Sequence, residues 1–96
     1  MRLRTSRKAD EDIIGIYLHG VREFGVHQAE HYHAGLMETL RLLAEQPMIA
    51  RERSEFRPAV RIHVHQAHLI VYQVRQDDVL VLRVLDGRQD WEELLS

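Results

Sequence analysis

The chain has 96 residues, which is enough for one domain with a single hydrophobic core. Apolar residues make up 45% and charged residues 29%, with a net charge of -2, so a disordered tail and a general polyanion binder are excluded. There is no cysteine and no apolar run of the ~18 residues that a membrane span needs, and the first residues lack a secretory signal, so we expect a cytoplasmic protein with neither disulfides nor a membrane partner.

Two amphipathic helices are predicted in the first half of the chain. Ser6 is a typical N-cap, and acidic residues and an apolar stripe with helical spacing follow it. Phe24-Gly25 supplies a stop, and a second stripe runs up to Pro47. Because the connection is short, the helices should pack as an antiparallel hairpin. The stripes are Ala9, Ile13, Ile16, Tyr17, Gly20 and Phe24, then Ala29, Tyr32, Leu36, Met37, Leu40 and Leu43.

The second half of the chain has the alternation of β-strands. Residues 48–58 are charged and aperiodic, which indicates a loop, and from Ala59 the apolar period changes to two. With a short first strand at 1–5, the order is β-α-α-β-β-β. This order predicts a single α+β domain over 1–96, in which a helix hairpin packs on one face of a four-stranded, mainly antiparallel sheet. A short helical turn is expected at the C-terminus, after Asp90.

The apolar pattern also predicts which side chains face the helices. One set is Val60, Ile62, Val64, Ile70, Tyr72, Val74, Leu80, Leu82 and Val84. The opposite face would then display Arg61, His63, His65, Val71, Gln73, Arg75, Val79, Val81 and Arg83, a mixture typical of a binding surface. For Val60, Ile62 and Val64 to lie on the same side as Ile70, Tyr72 and Val74, the loop between these two strands must have an odd number of residues, at 65–67 or 66–68. A two-residue turn at Gln66-Ala67, which would set His65 opposite His68, is the less favoured alternative.

Histidines in "RIHVHQAHLIVY" raise the question of a metal site. His63 and His65 share one face of a strand and could chelate together, but the favoured loops separate His68 from them. His27 and His31 have helical i, i+4 spacing but no third ligand in reach, and the HExxH pattern is not present. We therefore favour solvated histidines and expect no metal and no cofactor.

Several short motifs together resemble one protein family. They are "ADEDIIGIY" (9–17), "FG" (24–25), "QAEHY" (28–32), "LLAEQP" (42–47), "RPAVR" (57–61), "HLIVYQV" (68–74) and "RVL" (83–85). In this order and spacing, from about Leu3 to Leu95, they look like the ParE branch of the RelE/ParE toxins of bacterial type II toxin–antitoxin systems.

The resemblance implies a small toxin that a ParD-like antitoxin holds inactive in a hetero-oligomer, as a heterotetramer. In this family the antitoxin wraps the helix hairpin and sheet, and operator DNA is reached only through the antitoxin. ParE-type toxins act on DNA gyrase by protein–protein contact, without catalytic residues. Two alternatives are a RelE-like ribosome-dependent mRNA endonuclease that uses His63, His65 and Arg83, and a non-toxic module that only binds antitoxin.

Residues at the end of the chain favour the ParE branch over the nuclease. RNA cleavage needs a general base, a general acid and cations around the phosphate. After the last strand the chain is acidic and lacks tyrosine, and Lys8 is its single lysine. Many family members have a histidine after "RVL", whereas this chain has Asp86 there, which removes a potential cation beside Arg83 and Arg88.

Arginine side chains are the main candidates for binding the partner, because guanidinium groups hold carboxylates in bidentate fashion. The arginines on the strands could form ion pairs on the sheet surface with Asp77, Asp78 and Asp86, or hold carboxylates of the antitoxin. We expect the second for Arg61 and Arg83, which lie in mid-strand, where acids in the turns reach poorly. Trp91 is expected to cover the edge of the core, and contact with gyrase is its second interpretation. The predicted antitoxin- or target-binding residues are Arg57, Arg61, His63, His65, Arg75, Arg83, Arg88 and Trp91.

Overall fold

A computed structural model describes residues 1–95 as three helices and a five-stranded sheet. The elements are β1 (Arg2–Thr5), α1 (Arg7–Phe24), α2 (Val26–Glu45), a 3-10 turn (Pro47–Ile49), β2 (Glu52–Arg53), β3 (Val60–His65), β4 (His68–Val74), β5 (Asp78–Asp86) and α3 (Trp91–Leu95). The strand order is β1-β5-β4-β3-β2, with β1 parallel to β5 and the other pairs antiparallel. No helix within residues 1–95 has both the length and the apolar character to cross a bilayer.

The predicted α+β class and the helix hairpin are confirmed, while the predicted number of strands was one too few. The fifth strand, β2, lies inside the segment 48–58 that was expected to be a loop. It pairs with β3 through only two residue pairs, Glu52 with Arg61 and Arg53 with Val60. A strand this short has no apolar alternation, which is why its pattern could not reveal it.

The two ends of α1 form as the sequence predicts. The Ala9 backbone N–H donates to Ser6 Oγ at 3.0 Å, and Ser6 Oγ donates to the Leu82 carbonyl at 2.7 Å. The cap therefore also fixes the start of α1 to β5. Gly25 has φ of 89°, a conformation open to glycine, and α2 begins at the next residue. The direct connection folds the helices back as a hairpin.

The helix hairpin covers one face of the sheet and forms the larger of two apolar clusters. Its buried members are Ala9, Ile13, Leu36, Leu40, Leu43, Ile70, Tyr72, Val79, Val81 and Val84. The predicted stripes account for the helical members of this set. Phe24, Tyr17 and Tyr32 of the stripes are not part of the cluster, and Phe24, in the last turn of α1, is 70% exposed.

The predicted register between β3 and β4 was wrong. The strands are joined by the two-residue turn Gln66-Ala67, so His65 lies opposite His68 and Arg61 lies opposite Tyr72. Gln66 adopts a positive φ of 51°, which a two-residue hairpin turn needs. Arg61, His63 and His65 consequently share the face of Tyr72, towards the helices, and the expected inward set points the other way: Val60, Ile62 and Val64.

The prediction failed because the second face of the sheet is also apolar. Val60, Val71 and Leu85 are buried there, and α3 covers them. When both faces are covered, the parity of apolar residues no longer fixes the register. The partly buried members of this outer cluster are Phe56, Ile62, Leu82, Trp91 and Leu95.

A β-bulge in β5 explains a second wrong assignment. Val71 pairs with Arg83, but the next residue, Tyr72, pairs with Val81, so Leu82 is an extra residue in β5. The bulge reverses the side-chain alternation along the strand. Val79 and Val81 therefore pack under the helices, where Leu80 and Leu82 were expected.

Candidate functional site

A groove of about 1160 Å³ lies beside the helix hairpin at the end of the sheet. Its walls come from α1, α2, the turn between β3 and β4, and the loop after β5. Seven aromatic and imidazole rings lie among the lining residues, and four of the seven histidines of the chain are among them. These rings are Tyr17, His19, Phe24, His31, Tyr32, His33 and His68. Such a wall offers apolar faces together with hydrogen-bonding edges.

A short hydrogen bond between Tyr32 and His68 organises the floor of the groove. Tyr32 Oη lies 2.6 Å from His68 Nδ1. Burial raises the pKa of Tyr32, and the charge of Asp86 adds to this, so the phenol keeps its proton. Two acceptors lie within reach of it, His68 Nδ1 and, at 3.4 Å, the His65 carbonyl. Burial also lowers the pKa of His68, so the ring is neutral.

His65 is held beneath α2. Thr39 Oγ1 donates to the Gly35 carbonyl at 3.1 Å and lies 3.0 Å from His65 Nδ1. Because the hydroxyl proton is already used, His65 Nδ1–H is the donor to Thr39. His65 Nε2 is then a buried acceptor without a hydrogen-bond partner among residues 1–95. Burial lowers the pKa of His65, with a smaller contribution from His63, so the ring stays neutral.

The loop after β5 presents a cation at the rim of the groove. Asp86 accepts from the Arg88 backbone N–H at 2.9 Å and from its guanidinium at 3.0 and 3.2 Å. These bonds from Arg88 lower the pKa of Asp86 to about 2. The Gly87 N–H donates to the Ala67 carbonyl at 2.9 Å, which attaches the loop to the β3–β4 turn. Arg88 is 84% exposed and so remains accessible to a partner.

Arg83, which was expected to hold a carboxylate of the antitoxin, holds a carboxylate of its own chain. It makes a bidentate pair with Asp12 of α1, at 2.8 and 3.1 Å, and Asp12 also accepts from the Val84 N–H at 2.9 Å. The prediction considered only acids in the turns and missed an acid brought in by a helix 71 residues away. Arg83 thus joins the helical layer to β5.

Arg61 and Arg75 are also engaged within the chain. Arg61 donates to the Ala50 carbonyl at 2.6 Å and lies 3.7 Å from Glu52, so it has partners within the chain that the prediction did not consider. Arg75 makes two bonds to Asp78, at 2.6 and 2.7 Å. Both arginines line a separate pocket of about 200 Å³.

Trp91 covers the outer face of the sheet. Its ring lies 6.3 Å from the ring of Phe56, and Arg53 Cζ is 5.6 Å from the centroid of each ring. The stacked guanidinium and the two aromatic rings close the outer cluster, which is the covering position that the sequence predicts.

The predicted binding residues therefore do not form one surface. Arg88 lines the groove, Arg61 and Arg75 line the smaller pocket, and Trp91 lies on the outer face. Arg57 is exposed in the segment before β3, His63 is partly buried on that strand, and the remaining two, His65 and Arg83, make the internal contacts described above.

Histidine placement also differs from the expectation. His68 lies directly opposite His65, and both rings pack edge-on against Tyr32, at centroid distances of 5.5 and 5.4 Å. The prediction that separated them was wrong because it rested on the odd-numbered loop. Across residues 1–95, no three His, Asp or Glu side chains come close enough together to hold a metal ion.

Most residues of the groove were missed as site residues. Tyr32 was assigned to the helix core, and His31 to a solvated face. A usable signal was the combination of small and aromatic residues on facing helices. Gly20 lies so close to Ala29 that an added Cβ would be 3.3 Å from its Cβ, and this close approach shapes the wall of the groove.

Comparisons with known proteins agree on one family. The model of the ParE toxin of type II toxin–antitoxin systems, parDE, matches residues 3–91. Toxin ParE1 of Caulobacter vibrioides is 30% identical over 82 residues, covering 85% of this chain and 84% of the relative. Toxin ParE3 of the same organism is 26% identical over 89 residues, covering 93% and 89%. A structure of the chromosomal ParDE system from P. aeruginosa superposes with a TM-score of 0.78 at 26% identity, covering 90% of this chain and 95% of that one.

Proposed function

Because the chain belongs to the ParE toxin family of type II toxin–antitoxin systems, we propose that a ParD-like antitoxin neutralises it and that the free toxin inhibits DNA gyrase by protein–protein contact. The antitoxin complex is a heterotetramer in the cytoplasm, and it reaches operator DNA only through the antitoxin. The groove beside the helix hairpin is the observation that carries the antitoxin part of this proposal.

The shape and chemistry of the groove support a peptide segment as its occupant. Its volume of about 1160 Å³ exceeds the range for small-molecule sites, roughly 300–1,000 Å³, and its walls come from four separate elements. Rings of Tyr17, Phe24 and Tyr32 give apolar contact, which suits an amphipathic segment. Arg88 at the rim can hold a carboxylate of that segment, since most of its side chain is exposed.

The contacts of Arg83 and His65 favour inhibition by contact over RNA cleavage. The nuclease alternative needs His63, His65 and Arg83 together on an open face. The Arg83 guanidinium instead holds Asp12, and the His65 ring is bonded to Thr39 beneath α2. Groups committed in this way are poorly placed to transfer protons or to stabilise a phosphate in a transition state.

An activity assay on the purified toxin separates the proposed functions. We expect the chain to block supercoiling by gyrase, and the cognate antitoxin to restore it. Normal supercoiling together with ribosome-dependent cleavage of mRNA would instead identify the RelE-like alternative. Normal growth after induction without antitoxin would identify the non-toxic module.

A matched pair of variants tests the role of the groove. His31 and His27 are both exposed and one helical turn apart on α2, but His31 lines the groove and His27 is not part of it. We expect His31→Trp to weaken antitoxin binding at least tenfold, because the indole fills space that the segment needs, and His27→Trp to leave it unchanged. Equal affinities of the two variants in calorimetric titrations would show that the antitoxin binds elsewhere.

A further inference from the structure

His68 lies on the floor of the groove, in the middle of a row of side chains that crosses three strands. It is paired with His65 of β3 on one side and with Asp86 of β5 on the other, so the three side chains share the helix-side face. Tyr32 of α2 packs against this row, with its Oη 2.6 Å from His68 Nδ1. Because His68 also lines the groove, a segment that fills the groove covers this ring.

One ring nitrogen of His68 is open to the groove. Nδ1 faces the Tyr32 hydroxyl, and Nε2 has no hydrogen-bond partner among residues 1–95. Nε2 is not buried, however. Among the partly or fully buried side chains of that part of the chain, His65 Nε2 is the one polar atom that is both buried and unpaired. His68 Nε2 is therefore accessible to solvent as long as the groove is empty.

The Tyr32 hydroxyl allows the open groove to hold a proton on His68. Its two possible acceptors are His68 Nδ1 and, at 3.4 Å, the His65 carbonyl oxygen. When His68 is an imidazolium, its Nδ1–H donates to Tyr32 Oη, and the hydroxyl proton turns to the His65 carbonyl. The Nε2–H donates to solvent. Every donor of the cation therefore has an acceptor in the free toxin.

The charged groups around His68 give a sealed imidazolium little compensation. They come from each element that packs against it: His19 of α1, Tyr32 of α2, His65 of β3, and Asp86 and Arg88 of β5 and the loop after it. Burial lowers the pKa of His68, Asp86 raises it, and the three cationic neighbours lower it further. Asp86 already accepts three hydrogen bonds from Arg88. A cation cut off from solvent would therefore lack a counter-charge of its own.

We propose that the antitoxin segment binds in the groove only while His68 is neutral, so that acidification releases the toxin from the antitoxin. Release by acid rests on the antitoxin part of the proposed function and adds a regulation of the same groove. The segment displaces the solvent at Nε2 and packs on the rings of Tyr17 and Phe24, while its carboxylate is held by Arg88 at the rim. Binding therefore expels a proton to solvent whenever His68 carries one.

The sign of the pH dependence follows from linkage. Covering His68 lowers its pKa further in the complex than in the free toxin, so the free toxin takes up the proton first as pH falls. Affinity is then constant above the pKa of the free toxin and is lost as pH falls through it. For one proton, the loss approaches tenfold for each pH unit below that pKa.

Calorimetric titrations of the full-length toxin with the purified cognate antitoxin test the proposal. Between pH values of about 7.5 and 5, we expect the wild-type affinity to fall about threefold to tenfold. His68→Gln keeps a polar side chain beside Tyr32 but cannot titrate, so it should lose most of this dependence. His27→Gln is the matched control, because His27 is exposed on α2 outside the groove, and it should keep the wild-type slope.

A second variant tests the part played by the tyrosine. Tyr32→Phe removes the oxygen that accepts from Nδ1–H of the imidazolium, so His68 should be protonated only at a lower pH. The fall in affinity should therefore move to lower pH. Magnetic resonance titrations of the His68 ring in the free toxin should show the same displacement, and an unchanged titration in Tyr32→Phe would contradict the assigned hydrogen bond.

The outcomes separate this proposal from the proposed function, at pH values where circular dichroism shows a folded toxin. Antitoxin binding that is tight and independent of pH would overturn release by acid and leave the proposed function intact. An affinity that rises on acidification would also overturn it, because the segment would then supply an anion to the imidazolium. An equal fall in wild type and His68→Gln would assign the effect to other groups and reject the role of His68. No antitoxin binding at any pH would overturn the proposed function itself, and release by acid with it.

Discussion

The two faces of the sheet are both apolar but are covered by very different elements. On one face, two helices of 18 and 20 residues bury side chains such as Leu36, Leu40 and Tyr72 completely. On the other, the five-residue helix α3 and the segment around Phe56 cover Val60, Val71 and Leu85. The helix-side face therefore carries most of the buried apolar area, while the outer face depends on a short element at the end of the chain.

This difference predicts that stability is unequally distributed between the faces. Apolar burial contributes in proportion to area, and side chains that stay partly exposed contribute less. We therefore expect the helix-side cluster to set the global free energy of unfolding, with the outer cluster opening more readily.

A matched pair of leucine truncations should give the largest difference. Leu40 of α2 is fully buried, and Leu40→Ala leaves a cavity that should lower the free energy of unfolding by about 3–4 kcal/mol. Leu82 is only partly buried in the outer cluster, and Leu82→Ala should lower it by about 1 kcal/mol. Urea denaturation measures both values, and equal losses would contradict the unequal distribution.

The link between the helical layer and β5 should give the next effect. Asp12→Asn removes the charge that the Arg83 guanidinium and the Val84 N–H both bind, with exposures of only 16% for Asp12 and 23% for Arg83. We expect a loss of about 2–3 kcal/mol, since a partly buried guanidinium loses its counter-charge. Glu11→Gln removes a surface pair and should cost less than about 0.5 kcal/mol. A loss in Asp12→Asn as small as that in Glu11→Gln would show that the pair contributes little.

Local signals predicted the helical half of the fold well. Ser6 and Gly25 act through their own backbone neighbours, so the start and end of α1 can be predicted without knowledge of the rest of the chain. The α2 stripe is equally local, because positions three and four apart on a helix share a face.

The register of the sheet could not be predicted from the same kind of pattern. It depends on whether the outer face is covered, and that cover comes from Trp91 and Leu95, far from β3 in sequence. The bulge at Leu82 reverses the alternation of side chains along β5, and no residue near it in the sequence predicts it. The apolar residues Leu69, Val71 and Leu85 were the sequence signal that indicated a second buried face.

The groove could not be predicted from the sequence, for a related reason. Arg88 was predicted as a binding residue, but its neighbours Tyr17 and Tyr32 become neighbours only when the helices fold against the end of the sheet. Likewise, the partner of Arg83 is 71 residues away in sequence, and the spacing of residues does not predict that the two meet.

Removal of the outer cover tests how independent the two faces are. Trp91→Ala should lower the free energy of unfolding by about 1–2 kcal/mol, because the partly buried ring packs on Phe56 and under Arg53. Hydrogen exchange should become faster for amides of β3, such as Ile62, and remain unchanged for α2, for example at Leu36. Faster exchange in both regions would show that the faces open as one unit.

The last and smallest effect concerns pH, and it belongs to the helix-side face alone. Burial lowers the pKa of both His65 and His68 below the ordinary value of 6.5, so the folded protein holds both rings neutral. As pH falls below 6.5, the unfolded chain takes up protons before the folded one does, and stability is lost until the folded pKa values are passed. Asp86, with its pKa lowered to about 2, contributes only below its own ordinary value of 3.8, outside this window.

Thermal unfolding at pH values from about 7.5 to 5 should therefore show a falling midpoint, less steep in His65→Gln/His68→Gln. His27→Gln, on an exposed part of α2, should keep the wild-type slope. A midpoint that rises on acidification would mean that the two rings are stabilised as cations, which contradicts their burial in the neutral form.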